Sequence, residues 1–99
     1  MLPSLAALHA QAQQNRIEFL KTDLALCFTF ADLFETELRM GDMEAAHQLK
    51  QKAEHGYDSI TRLLVGVDDA TQKGQIQQGL NDLRVRLDGF EALPQPATI

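Results

Sequence analysis

Ninety-nine residues suffice for one domain with its own hydrophobic core. Apolar residues make up 44% of the chain and charged residues 23%, which excludes intrinsic disorder as the main state. One cysteine excludes an intrachain disulfide and a cysteine-based zinc cluster, and a net charge of −5 argues against nucleic acid or an anionic membrane as partner.

The chain opens Met1-Leu2-Pro3-Ser4-Leu5, and apart from His9 its first basic side chain is Arg16. A secretory signal needs basic residues ahead of its apolar run, so none is expected. The longest nearly apolar run, Leu24 to Ala31, falls well short of the about 20 residues a membrane-spanning helix needs. The expected location is cytoplasmic, which suits a free Cys27.

Leu, Ala, Gln, Glu, Lys and Arg dominate, and no alternating apolar and polar run is long enough for a strand. The predicted fold is all-α, an up-down-up three-helix bundle with a long first helix. Ser4 caps helix 1, predicted over 5–40. Its seam is Ile17, Leu20, Leu24, Cys27, Ala31, Phe34 and Leu38, at alternating spacings of three and four. A second apolar stripe, Phe19, Leu26, Phe30, Leu33 and Met40, leaves only a narrow polar face. A helix apolar on most sides touches more than one neighbour, so helix 1 is expected to be central and packed by both others.

Gly41-Asp42 closes helix 1 and caps helix 2, predicted over 43–64 with a seam of Ala46, Leu49, Ala53, Gly56, Ile60 and Leu63. Gly66 ends helix 2. Asp69 caps helix 3, with Gln72 placed to complete a capping box. Helix 3, predicted over 70–92, carries Ile76, Leu80, Leu83, Leu87 and Phe90, and Pro94 and Pro96 stop it. The domain is expected over 1–93, with 94–99 as a short tail.

The lengths do not match. At about 1.5 Å per residue, helix 1 spans roughly 54 Å and its companions only about 33–35 Å each. Leu5 to Asn15 then lack a partner within the chain. Helix 1 either breaks near Lys21-Thr22-Asp23 and folds back, or projects and pairs with another molecule. The absence of glycine and proline between Ser4 and Gly41 favours projection. Leu5, Leu8 and Ala12, on one face of that segment, are the predicted interaction residues, and the chain is expected to be a homo-oligomer or to bind a helical partner.

Gly41-Asp42-Met43-Glu44-Ala45-Ala46, followed by Lys52-Ala53, resembles the turn and second helix of a tetratricopeptide repeat, with Phe30 and Leu33 where that motif places large residues of its first helix. The resemblance covers about one repeat, Phe30 to Asp58. Phe34, Lys50 and Asp58 depart from it, and no second copy follows. It implies a helical hairpin and, if function follows, protein–protein contact. The whole chain has the general look of a small bacterial helical protein.

Chemistry-bearing groups are few. Glu44-x-x-His47 has the spacing of di-metal bundles, which need a second such pair and two more glutamates. A symmetric dimer would supply the pair, so a small metal-binding bundle is the alternative function. Cys27 on an apolar seam reads as a buried hydrophobe with a raised pKa. Asp68-Asp69 is explained by capping, and Glu35 and Glu37 do not face each other. There is no phosphate loop, no dense basic patch, no cofactor site and no catalytic set. Gly56 on the helix 2 seam accommodates a bulky neighbour, such as Phe28 or Phe34, or leaves a ligand-sized gap. The reading is a non-catalytic helical interaction module that associates with itself through the start of helix 1.

Overall fold

The structure, a computed structural model, describes residue 2 and residues 4–91. Pro94, Pro96 and the tail assigned to 94–99 lie outside the described residues. Three helices follow in order: α1 (Leu5–Arg39), α2 (Met43–Leu64) and α3 (Ala70–Glu91). No strand occurs among the described residues. Each helix touches both others, and α1 with α2 forms the most extensive pair.

Local chemistry sets the boundaries. Ser4 Oγ accepts from the Ala7 N–H at 3.1 Å, Asp42 Oδ1 from Ala45 N–H at 3.0 Å, and Asp69 Oδ1 from Gln72 N–H at 3.0 Å. Each bond satisfies a donor that the first helical turn leaves without an intrahelical partner. Gly41 has φ +82°, and the bonds Asp42 N–H to Glu37 O and Gly41 N–H to Leu38 O complete a Schellman motif. α1 runs unbroken through Thr22.

α2 ends at Leu64 as predicted, and Gly66 follows it without a left-handed turn, since Gly41 is the only described residue with positive φ. Gly66 lies where the Arg16 guanidinium rests, and a Cβ there would collide with it. The capping box at α3 is incomplete, because Gln72 Oε1 is buried without a partner.

The core is Ile17, Leu20, Cys27, Ala31 and Phe34 of α1, Ala46, Ala53, Ile60 and Leu64 of α2, Val67, and Ile76, Leu80, Leu83, Leu87 and Phe90 of α3. The seams of α1 and α3 match the sequence pattern, and Leu24, Leu38 and Leu49 pack partly buried against the core. The seam of α2 does not end as expected, since Leu63 is exposed and Leu64 is buried. A strict seven-residue repeat drifts by about 20° per heptad on a straight helix, so by the last turn the inward position has moved one residue on. Phe34 and Phe90 stack with centroids 4.2 Å apart and join α1 to the end of α3.

Two glycines inside helices are close-approach points. A Cβ on Gly56 would collide with Cys27 Sγ, and one on Gly79 would collide with Leu24. The neighbour of Gly56 is therefore Cys27, not Phe28 or Phe34, and Gly79 seats Leu24 of α1. Gly56→Ala is expected to cost about 1–3 kcal/mol through overpacking. In a Cys27→Ala background the same change is expected to stabilise by up to about 1 kcal/mol, from helix propensity. Urea titrations of the four proteins check this inversion of sign.

Candidate functional site

The segment before Ile17 is not free along its whole length. Gln13 Nε2 donates to Gly66 O at 2.9 Å, and Gln13 Oε1 accepts from Asp68 N–H at 2.9 Å. Arg16 donates to Leu63 O at 3.1 Å, and His9 Nε2 lies 2.8 Å from Asp68 Oδ2. The α2–α3 loop thus clasps α1 from His9 to Arg16, which corrects the expectation that Leu5 to Asn15 lack a partner within the chain. The cause is backbone at and after the end of α2: Gly66 O and Asp68 N–H in the loop, and Leu63 O in the last turn, which also accepts from Gly66 N–H, lie where long polar side chains of α1 can reach. What projects is the first turn, where Leu5 is 85% and Leu8 is 52% exposed. Ala12 is also exposed.

The second apolar stripe of α1 is the larger surprise. Phe30 packs partly against the core, but Phe19 is 57%, Leu26 46%, Leu33 43% and Met40 74% exposed. Neither α2 nor α3 covers these four side chains. α2 and α3 both approach α1 from the side of its core seam, as their contacts through Cys27 and Leu24 show.

The exposed row has a spacing that sequence reasoning overlooked. Leu5, Ala12, Phe19, Leu26, Leu33 and Met40 lie seven residues apart throughout. Beside it runs Leu8, Asn15, Thr22, Thr29 and Thr36, also at sevens and offset by three. This is the pattern of a coiled-coil seam. Thr29 and Thr36 donate their hydroxyls to Ala25 O and Asp32 O, both at 3.2 Å, which satisfies those hydroxyls within the helix. The predicted residues Leu5, Leu8 and Ala12 belong to these two rows.

On the α2 side the row borders an open groove of about 660 Å³, walled by Phe19, Phe30, Lys52, His55 and Leu63 with Cys27 and Gly56 among its lining. Cys27 is buried, and burial, with Asp23 adding to it, pushes the thiol up to about 11. At neutral pH it is a thiol and a poor nucleophile, although His55 lines the same groove. Cys27 Sγ also occupies the space over Gly56, so the groove there is a surface feature rather than an enclosed gap.

Glu44 and His47 are both exposed on α2. No group of three or more His, Cys, Asp or Glu side chains able to hold a metal occurs among the described residues. Of the carboxylates weighed in the sequence, Glu35 meets Arg86 and Asp68 lies against His9, and other carboxylates are held by cations too. Arg84 of α3 grips Glu54 of α2 at 2.7 and 2.8 Å and also binds Asp88. The hydrogen bond from Arg84 holds the Glu54 carboxyl below its ordinary range. Arg86 reaches Asp32 at 2.6 Å and Glu35 at 3.2 Å on α1. These contacts fasten α3 to both neighbours, with Arg84 over Tyr57 and Arg86 over Phe90. They were not legible in sequence, where both arginines are simply isolated charges.

No described helix is long and apolar enough to cross a membrane. Compared with known proteins, the chain matches no family model, no curated protein and no solved structure.

Proposed function

We propose that the chain is a non-catalytic, cytoplasmic helical interaction module that associates with itself through α1, beginning at Leu5, Leu8 and Ala12. The observation that carries this reading is the exposed apolar surface of α1, with Leu5 at 85% and Leu8 at 52% beyond the clasp of the α2–α3 loop. Contiguous exposed apolar surface of this kind marks interaction sites. The resemblance of Phe30 to Asp58 to a tetratricopeptide hairpin favours the same reading, because that family's hairpins serve protein contact. The alternative, a metal bundle using Glu44 and His47 across a dimer, has two exposed ligands per chain, and among the described residues no group of three or more ligating side chains forms.

Association that stabilises the fold makes the melting temperature rise with protein concentration. The melting temperature of the unaltered chain is expected to rise over a hundredfold range of concentration, and less so for Leu5→Asp/Leu8→Asp. A melting temperature independent of concentration in the unaltered chain overturns the reading.

A further inference from the structure

We infer that the exposed seven-residue row of α1 is the seat of α1 from a second copy of this chain, lying antiparallel in one register. This rests on the self-association proposed above and centres it on the row from Asn15 to Met40, since in this register Leu5 and Leu8 lie past the end of the partner's α1.

Three observations carry it. The row keeps strict seven-residue spacing from Leu5 to Met40 on a helix with no break, although neither α2 nor α3 uses that face. Core packing within the chain gives no reason for a second heptad row on the opposite side; a supercoiled partner helix does. The large members of the row are 43–74% exposed from Phe19 to Met40. The neighbouring threonine row has Thr29 and Thr36 already donating to their own helix, so their O–H donors stay satisfied when water leaves.

Charge selects the arrangement. In a parallel pair, the flanking positions set Glu18 against the partner's Asp23 and Asp32 against the partner's Glu37, each twice by symmetry. Like charges there oppose assembly. In an antiparallel pair with Leu26 facing the partner's Thr29, Glu18 meets the partner's Arg39 and Arg16 meets the partner's Glu37. The apolar layers then set one large side chain against one polar one: Phe19 on the partner's Thr36, Leu26 on its Thr29, Leu33 on its Thr22 and Met40 on its Asn15. Sliding by one heptad one way opposes Asp23 to the partner's Glu37 and Asp32 to the partner's Asp32. Sliding the other way opposes Glu18 to the partner's Asp32. One register therefore gains both attractive pairs and no repulsive one. Its polar layers also predict a moderate affinity, since threonine and asparagine fill the second row.

Sedimentation equilibrium with circular dichroism tests this on the full chain. The unaltered chain is expected to be a dimer. Leu26→Asp is expected to be a monomer of unchanged helicity, because Leu26 lies outside the core. Glu18→Arg and Arg39→Glu each reverse two symmetry-related pairs and are expected to weaken the dimer about tenfold, and the double variant to restore it. A dimeric Leu26→Asp variant that dissociates on Leu5→Asp/Leu8→Asp places association at the first turns and overturns the seam while leaving self-association intact. Failure of the double variant to recover affinity overturns the antiparallel register. A monomeric unaltered chain overturns both the seam and the reading beneath it.

Discussion

Phe34→Ala is expected to lower stability by about 3–5 kcal/mol, the largest loss expected of any single truncation in this chain. Phe34 is 7% exposed and stacks on Phe90 at 4.2 Å, so its ring closes the end of the bundle where α1 turns into α2. Removing it takes away buried apolar area, a ring–ring contact and the cover over the last turn of α3. Arg86 sits over the Phe90 ring and binds Asp32 and Glu35, so loosening Phe90 also loosens the ion pairs that hold α3 to α1. A small domain has only about 5–15 kcal/mol of stability in total. Guanidinium titration is the check, and a loss below about 1 kcal/mol would show that the Phe34–Phe90 contact does not hold the two helices together.

Much of this end of the molecule was legible from residue spacing. Phe34 and Phe90 fell on predicted seams, and Gly41-Asp42 announced the turn between α1 and α2. Spacing carries such information because helical periodicity converts directly into a buried face. What spacing does not carry is which of two faces the chain itself covers. α1 bears two apolar seams, and nothing local to Phe19, Leu26, Leu33 or Met40 says that α2 and α3 both settle on the other one. The same blindness applies to contacts distant in sequence. Gln13 clasping Gly66 and Asp68, Arg84 gripping Glu54, and Cys27 lying on Gly56 join residues between 29 and 55 positions apart. Composition cannot place them together before the topology is known. The seven-residue spacing of the exposed row was there to be read, hidden by the habit of assigning every apolar stripe to the chain's own core.

The second large effect follows from that two-faced helix. Leu20→Asp is expected to unfold the chain or cost about 4 kcal/mol or more, because Leu20 is 0% exposed and nothing charged stands near enough in the apolar core to receive a carboxylate. Leu26→Asp, six residues on along the same helix, is expected to change the stability of the isolated fold by about 0.5 kcal/mol or less, because Leu26 is 46% exposed. The two substitutions make the same chemical change on opposite sides of one helix. Far-ultraviolet circular dichroism and thermal melts at low protein concentration, where association does not contribute, separate them. Comparable losses in both would place Leu26 in the core and remove the surface on which the proposed assembly depends.

In the proposed assembly α1 serves twice. Its inner seam packs α2 and α3; its outer row, flanked by Glu18 and Arg39, is proposed to seat a second copy in reverse. Sedimentation equilibrium of the unaltered chain addresses that division most directly. It is predicted to give twice the 11.0 kDa chain mass at micromolar concentration; a mass of 11.0 kDa that persists to near-millimolar concentration would contradict it.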